Sequence, residues 1–210
     1  MLVGGAYAFM SEMTTSGHFH AVRFYDTKES LCRIVAAFIG EGLATGQPGL
    51  VISTPEHRAG IADALRERGF DVARMEAAGD LLLLDARQML ATFMVDGAPD
   101  ANLFHEHATS AIVRLCRGRR ECTIRAYGEM VDLLWKDDQH VAAIVLEMLW
   151  NKLAASASFS LLCGYAMGNF YKDANVADIC SQHTHAFGMD VSITPDISRG
   201  PGTAVGTTIH

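Results

Sequence analysis

Short apolar runs alternate along the chain with longer segments in which apolar residues recur every three or four positions. The short runs predict strands and the longer segments predict helices. The predicted strands cover residues 20–25, 49–53, 81–84, 122–127 and 159–163. The predicted helices cover residues 29–44, 55–68, 86–94, 101–116, 131–135, 139–154 and 173–185. Because most strands are apolar on both faces and helices intervene, the pattern predicts an α/β fold with a mostly parallel sheet covered by helices on both faces.

The two ends of the chain lack this periodicity. Residues 1–17 show no repeat of apolar positions, and we expect a disordered leader there. Residues 188–210 contain Pro195, Pro201 and several glycines, so an irregular tail is expected. The region between them, residues 18–187, has the length of a single domain.

Composition and charge narrow the classes of function. The formal net charge is -7, which disfavours direct binding to nucleic acid because such binding depends on Lys and Arg contacts to phosphates. No apolar run approaches the ~20 residues that span a membrane, and no basic segment precedes the N-terminal apolar stretch. The five cysteines are odd in number and irregularly spaced. We therefore expect a cytoplasmic protein with reduced thiols.

Polar and aromatic side chains follow the predicted strands at the point where each strand ends. In parallel sheets these ends meet at one edge, where ligands commonly bind. The strand ends could form a pocket, or their polar groups could be helix caps and turn residues. Four of them are acidic, which disfavours a phosphate ligand. The residues concerned are Tyr25, Asp26, Thr54, Glu56, Asp85, Glu129 and Tyr165.

The predicted helix over residues 139–154 carries an unusual polar group beside a tryptophan. Glu147, Trp150 and Asn151 are three and four residues apart and share one face. Val145, Met148 and Leu149 are predicted to form the neighbouring core stripe. Glu147 could line a pocket, or it could accept a hydrogen bond from a nearby backbone group while Trp150 packs in the core.

Neither a metal site nor a catalytic nucleophile is predicted from the residue pattern. Three His-x-His pairs occur at residues 18–20, 105–107 and 183–185, and Cys180 and His183 would share a face of the last helix. Their spacing matches no specific zinc pattern, so we assign no metal ligand and no cofactor. The chain has no Gly-x-Ser-x-Gly motif, and Cys163 lies in an apolar strand. The pattern therefore favours a protein that is not an enzyme.

A series of motifs resembles a known family. The motifs are YGEMVDLLW at residues 127–135, LEMLWN at 146–151 and FSLLCGY at 159–165, together with HAVRFY at 20–25, GLATG at 42–46, TPEHR at 54–58 and GDLLLLDA at 79–86. In this order they resemble the MEDS family, the methanogen/methylotroph, DcmR-type sensory domains. The resemblance covers roughly residues 18 to 170.

The resemblance implies a three-layer RecA/KaiC-like fold that lacks the phosphate-binding loop. It also implies a non-catalytic sensory role, proposed for small one-carbon or hydrocarbon-type ligands. Family members are often fused to a helix-turn-helix, a histidine kinase or an anti-sigma-type module. This chain has no room for such a module, so signalling to a separate kinase, anti-sigma factor or transcription factor is expected. The ligand-binding residues carried over from the family motifs are His20, Phe24, Tyr25, Glu129, Trp135, Glu147, Trp150, Asn151, Cys163 and Tyr165.

Two other functions stay open on the sequence. One is a cryptic nucleotide-binding KaiC-like ATPase, in which Glu56 would stand in the place of the catalytic glutamate. The other is a metal-dependent sensor that uses Cys180, His183 and His185. Self-association as a homodimer also stays open.

Overall fold

The computed structural model describes residues 19–170 and 176–187 of the chain. The predicted leader, the predicted tail and His18 lie outside the described residues. Within the described residues, the main sheet has six strands, and every neighbouring pair in it is parallel. The α/β prediction is therefore confirmed.

In chain order the strands are β1 (His20–Tyr25), β2 (Gly49–Ser53), β3 (Leu81–Asp85), β4 (Met94–Val95), β5 (Ala98–Pro99), β6 (Ile124–Gly128), β7 (Phe159–Ala166) and β8 (His185–Phe187). Their order in the main sheet is β3-β2-β6-β7-β1-β8. The first and last of the family motifs, at residues 20–25 and 159–165, thus lie side by side, with Val22 of β1 opposite Cys163 of β7. A separate two-stranded hairpin is formed by β4 and β5.

Helices cover both faces of the sheet and enclose two apolar cores. On one face lie α1 (Lys28–Ala44), α2 (Pro55–Glu67) and α3 (Val72–Ala78). On the other face lie α4 (Ala86–Phe93), α5 (Ala101–Cys116), α6 (Met130–Lys136), α7 (His140–Ala154) and α8 (Val176–Ser181). Alternate residues of each strand point to opposite cores, as with Ala21 and Val22 of β1. A short 3-10 helix, Met167–Phe170, follows β7.

The strand-to-helix turns are short because the helix caps lie directly after the strands. Thr27 and Thr54 follow β1 and β2, Asp85 is the last residue of β3, and each accepts a hydrogen bond from a backbone N–H in the first turn of α1, α2 or α4. Asp100 caps α5 in the same way. The carboxyl edge of the sheet is therefore densely built, with little backbone between β1 and α1.

The C-terminal part of the described chain differs from the prediction. The helix predicted over residues 173–185 is confirmed only as α8, which ends at Ser181, and residues 171–175 are not described. Thr184 donates its backbone N–H to the carbonyl oxygen of His20, and residues 185–187 pair with β1 as β8. Pairing with β1 thus ends the helix, so Cys180 and His183 do not share a helix face.

The predicted core stripe of α7 is only partly correct, since Val145 and Leu149 are half-buried but Met148 is exposed. Val141 is 80% exposed and Met148 is 56% exposed. The buried side of the helix carries Ala142, Ala143, Leu146, Glu147, Trp150 and Leu153. The helix is apolar on both sides, so its hydrophobic pattern alone does not fix which side packs on the sheet.

Two cysteines form a disulfide at the end of α5. Cys116 and Cys122 are joined with a Cα–Cα distance of 5.5 Å, so the expectation of reduced thiols is wrong for this pair. Cys32, Cys163 and Cys180 are free. In the described part of the chain, no helix is long and apolar enough to cross a bilayer.

Candidate functional site

Buried polar side chains gather in two clusters that the fold places close to the sheet. The inner cluster lies on the α7 side of β1 and β7, and the edge cluster lies beyond the carboxyl ends of the strands. The inner cluster consists of His20, Glu147, Asn151, Cys163, Tyr165 and His183. The edge cluster consists of Tyr25, His57, Tyr127, Glu129, Asp132 and Lys136.

Glu147 stands at the centre of the inner cluster and is fully buried. Its Oε1 accepts a hydrogen bond from the Tyr165 hydroxyl at 3.0 Å, and its Oε2 accepts one from Cys163 Sγ at 3.5 Å. Oε2 also lies 3.2 Å from His20 Nε2, and Oε1 lies 3.4 Å from His183 Nε2. Groups from β1, β7 and the α8–β8 segment thus surround one carboxylate of α7.

Both histidine rings of the inner cluster are oriented through Nδ1. His183 Nδ1 lies 2.7 Å from the carbonyl oxygen of Ile179, which can only accept a hydrogen bond. His20 Nδ1 lies 2.8 Å from Oδ1 of Asn151, whose Nδ2 donates to the carbonyl oxygen of Gln182 at 2.8 Å. On both rings Nδ1 therefore carries a proton that it donates to these oxygen atoms, and Nε2 faces Glu147.

The electrostatics of the inner cluster favour a charged Glu147. Burial by itself raises the pKa of a carboxyl group, but His183 and His20 outweigh it and hold the pKa of Glu147 far below its ordinary value. Burial lowers the pKa of His183, yet the carboxylate of Glu147 outweighs burial and raises it. Burial, and then the charge of Glu147, raise the pKa of Cys163 and of Tyr165 well above their ordinary values.

Glu129 organises the edge cluster directly after β6. It accepts hydrogen bonds from the backbone N–H of Thr54 and from the Tyr127 hydroxyl, the latter at 3.2 Å. Its Oε2 lies 2.6 Å from Nδ1 of His57 on α2. Burial raises the pKa of Glu129, but the contacts to His57 and Thr54 outweigh it and lower the pKa below its ordinary value.

Asp132, in the first turn of α6, is the second buried carboxylate of the edge cluster. Its Oδ1 accepts the backbone N–H of Ala166 at 2.9 Å, and its Oδ2 accepts bonds from Lys136 Nζ at 2.6 Å and from the Tyr25 hydroxyl at 3.2 Å. Burial, followed by the charges of Asp132 and Glu129, raises the pKa of Tyr25 well above its ordinary value. Asp132 therefore ties β1, β7 and α6 together.

Aromatic rings connect the inner cluster with the protein surface. The Tyr165 ring lies 6.1 Å from the Phe24 ring and 6.1 Å from the Trp135 ring, measured between centroids. Trp135 in turn stacks on His140 at 4.3 Å, and His140 is partly exposed at the start of α7. The path therefore runs from His140 through Trp135 and Tyr165 to Glu147.

The structure distributes the ten predicted ligand-binding residues over several places. His20, Glu147, Asn151, Cys163 and Tyr165 meet in the inner cluster, and Phe24 and Trp135 pack around Tyr165. Tyr25 and Glu129 belong to the edge cluster. Trp150 lies apart, edge-on to Phe104 and Phe159. Their role in ligand binding stays a prediction.

The remaining strand-end acids have ordinary structural partners. Asp85 caps α4 and lies 3.7 Å from Arg58, and Glu56 pairs with Lys28 on the surface at 2.8 Å. A surface groove of about 420 Å³ between α5 and α7 is lined by Asn102, His105, Glu106 and Lys152 among others, and by none of the ten predicted residues.

Sequence reasoning missed the contributions of His57, Tyr127, Asp132, Lys136 and His183 to these clusters. Asp132 could have been identified from the sequence, because it is the one charged residue in the predicted helix over residues 131–135. His183 was a candidate metal ligand, but its predicted partners were wrong. Cys180 is not among the residues of the inner cluster, and His185 stacks between Phe19 and Phe187 on the other side of the sheet.

Comparison with known proteins agrees with the motif series. No curated protein matches the chain. The family model described as MEDS, the methanogen/methylotroph, DcmR sensory domain, matches residues 19–184. This match spans both buried clusters and nearly all of the described fold, and the chain therefore belongs to the MEDS family of sensory domains.

Proposed function

We propose that this sensory domain binds a small, weakly polar ligand of the one-carbon or hydrocarbon type beside the inner cluster and catalyses no reaction. The observation that carries the proposal is the aromatic path from His140 through Trp135 and Tyr165 to Glu147. Phe24, Trp135 and Tyr165 offer apolar walls, and the inner cluster offers polar groups that can orient a substituent. Small-molecule sites commonly combine these two features.

The turn between α6 and α7 supports ligand entry along this path. Asp138 in this turn has a backbone φ of +55°, an unfavourable conformation for a residue other than glycine. Such strain persists only where the surroundings hold it, and it is often found in segments that move. A small shift of this turn would separate His140 from Trp135 and admit a ligand to Tyr165.

Helix α7 is suited to report the ligand. It carries Glu147 and Asn151 on its buried side, so a change in the inner cluster acts on the helix directly. We propose that the altered position of α7 is read by a separate regulatory protein, either a kinase, an anti-sigma-type factor or a transcription factor. The family resemblance to sensory modules fused to such outputs supports this proposal.

The structure at the carboxyl edge of the sheet supports a function that does not involve binding or hydrolysing a nucleotide. Only Asp26 and Thr27 lie between β1 and α1, and Thr27 caps the helix. A phosphate-binding loop needs several glycines and a lysine at this position. Titration of the protein with ATP and Mg²⁺ by calorimetry should therefore give no binding heat, and micromolar affinity would favour the ATPase alternative.

Tryptophan fluorescence tests ligand binding directly, because the chain has only two tryptophans, Trp135 and Trp150. Dichloromethane and methanol serve as probes. Binding near Tyr165 should give a saturable change in emission. The same change should persist in Trp150→Phe, where Trp135 is the sole reporter, and should disappear in Trp135→Phe.

The two tryptophan variants show which tryptophan reports the ligand and therefore where the ligand binds. A saturable change carried by Trp150 alone would place the ligand near Phe104 and Phe159 and contradict the proposed site. A change that rises linearly with either probe, without saturation, is a solvent effect and would contradict ligand binding of this class.

A further inference from the structure

Four potential metal ligands converge in the inner cluster. In the described part of the chain, His20, Glu147, Cys163 and His183 are a group whose donor atoms all lie within 4.8 Å of one another. Glu147 Oε2 lies 3.2 Å from His20 Nε2 and 3.5 Å from Cys163 Sγ, Glu147 Oε1 lies 3.4 Å from His183 Nε2, and His20 Nε2 lies 3.3 Å from Cys163 Sγ. Ligand atoms around a tetrahedral zinc ion are about 3.3–3.7 Å apart, given metal–ligand bonds of about 2.0–2.3 Å.

In the neutral form that metal binding requires, both histidines present a lone pair to this centre. Their Nδ1 atoms are committed to Asn151 Oδ1 and to the Ile179 carbonyl oxygen, which leaves Nε2 of each neutral ring as an acceptor. Nε2 of His183 is fully buried and has no hydrogen-bond partner among the described residues, although Glu147 Oε1 is near. A buried ring nitrogen that faces a carboxylate favours a cation at this point, and this cation is a proton on His183 when no metal ion is bound.

Outer contacts complete the arrangement that metal ligands usually have. Metal-bound histidines donate their other ring proton to a carbonyl or carboxylate oxygen, and a bound carboxylate is itself hydrogen-bonded. Here Asn151 and the Ile179 carbonyl hold the two rings, and Tyr165 holds Oε1 of Glu147. Asn151 is fixed in turn by the carbonyl of Gln182.

We propose that His20, Glu147, Cys163 and His183 bind one divalent transition-metal ion of the zinc type. Two neutral imidazoles, one carboxylate and one thiolate carry a total charge of −2, so a divalent ion gives a neutral site in a buried, apolar setting. On binding, the Cys163 thiol releases its proton to solvent and its sulfur bonds to the metal. Nitrogen and sulfur donors favour zinc, cobalt or copper over magnesium or calcium, which prefer oxygen ligands.

The proposed metal centre would hold the segment between α8 and β8 against the sheet. Three of the ligands come from β1, α7 and β7, while His183 comes from the short segment between α8 and β8. A metal ion there would hold this segment against β1, next to the β1–β8 pairing. This inference does not depend on the small ligand of the proposed function, since it concerns the metal alone.

Optical titration with Co²⁺ tests the site in untagged full-length protein that has been treated with a chelator. We expect one equivalent of Co²⁺ to bind, with a thiolate-to-cobalt charge-transfer band and visible bands of tetrahedral intensity. One equivalent of Zn²⁺ should displace it. Chelated protein that stays folded by circular dichroism and yet binds neither ion stoichiometrically would overturn the proposal.

Matched variants identify the ligands. Cys163→Ser should lose the charge-transfer band, whereas Cys180→Ser, which changes a free thiol outside the group, should keep it. His183→Gln should weaken Co²⁺ affinity by about 10-fold or more, whereas His185→Gln should leave it unchanged. If Cys163→Ser fails to fold, the His183→Gln and His185→Gln pair decides. Equal affinity in these two variants, or loss of the band in Cys180→Ser, would overturn the assignment.

Discussion

His20 and His183 face each other with their ring centroids 4.2 Å apart, one at the start of β1 and the other in the segment before β8. Both rings turn Nε2 toward the same carboxylate, that of Glu147. The contact joins the first and last strands of the described chain to α7. It makes the inner cluster a structural junction as well as the proposed place of sensing.

Replacing Glu147 by glutamine should destabilise the protein strongly. The glutamine keeps the shape of the side chain but removes the charge on which His20, His183 and Tyr165 converge. Loss of one partner from a buried charged network costs about 3–5 kcal/mol. Urea unfolding should therefore show a lower free energy for Glu147→Gln, while Glu106→Gln, on the exposed side of α5, should resemble the parent. Equal stability of the two variants would contradict the central place of Glu147.

The edge cluster should make stability depend on pH through Glu129. The pKa of this carboxyl group is lowered in the folded protein, chiefly by His57 against the effect of burial. The ionised form therefore contributes stability above the ordinary glutamate pKa of 4.5. That contribution is lost as the pH falls through the lower pKa of the folded state.

Unfolding measurements at neutral pH and at about pH 3 check this dependence. The difference in unfolding free energy between the parent and Glu129→Gln should be large at neutral pH and should shrink in acid. Glu56→Gln changes a neighbouring carboxylate that is paired with Lys28 on the surface, and it should have a much smaller effect. A parent–variant difference for Glu129→Gln that is constant with pH would contradict the interpretation.

Gly164 is predicted to be required for the position of Tyr127. A Cβ atom at residue 164 would lie 2.7 Å from the Tyr127 hydroxyl, which donates to Glu129. Gly164→Ala should therefore destabilise the protein by about 1–3 kcal/mol, the usual cost of overpacking a core. Gly128→Ala is the matched control, since a Cβ atom there meets no heavy atom within 4 Å. Thermal unfolding that ranks the two variants in the opposite order would disprove this packing.

The disulfide between Cys116 and Cys122 should stabilise the protein modestly. It closes a short loop, with a sequence separation of 6, for which chain-entropy arguments give about 2 kcal/mol. Oxidised protein should lose this amount when a reductant is added, whereas the Cys116→Ser/Cys122→Ser double variant should not respond. Alkylation of the denatured, unreduced protein should label only Cys32, Cys163 and Cys180. Labelling of all five cysteines in air-oxidised protein would contradict the disulfide.

The sheet could be predicted from the sequence because its buried strands are short apolar runs that end in capping residues such as Thr54 and Asp85. The prediction failed where tertiary pairing decided the structure. The predicted last helix extended to His185, but residues 185–187 form β8, since β1 offers them an unpaired edge. Likewise α7 is apolar on both sides, and the burial of Glu147 rather than Met148 follows from its partners on β1 and β7.

The candidate site was predictable only in part for the same reason. Resemblance to the MEDS family drew attention to His20, Glu147 and Cys163, but nothing local in the sequence brings them together. Their meeting depends on the parallel pairing of β1 with β7 and on α7 packing across both. His183 joins them only because α8 ends at Ser181, which periodicity did not indicate.

Hydrogen–deuterium exchange with and without dichloromethane tests the central claim, that a small ligand acts on α7 through the inner cluster. We predict slower exchange in His140–Ala154 and in the preceding turn when the probe is present. Exchange in Lys28–Ala44, on the other face of the sheet, should not change. Identical exchange across α7 in both conditions, at a probe concentration that saturates the Trp135 signal, would contradict the account.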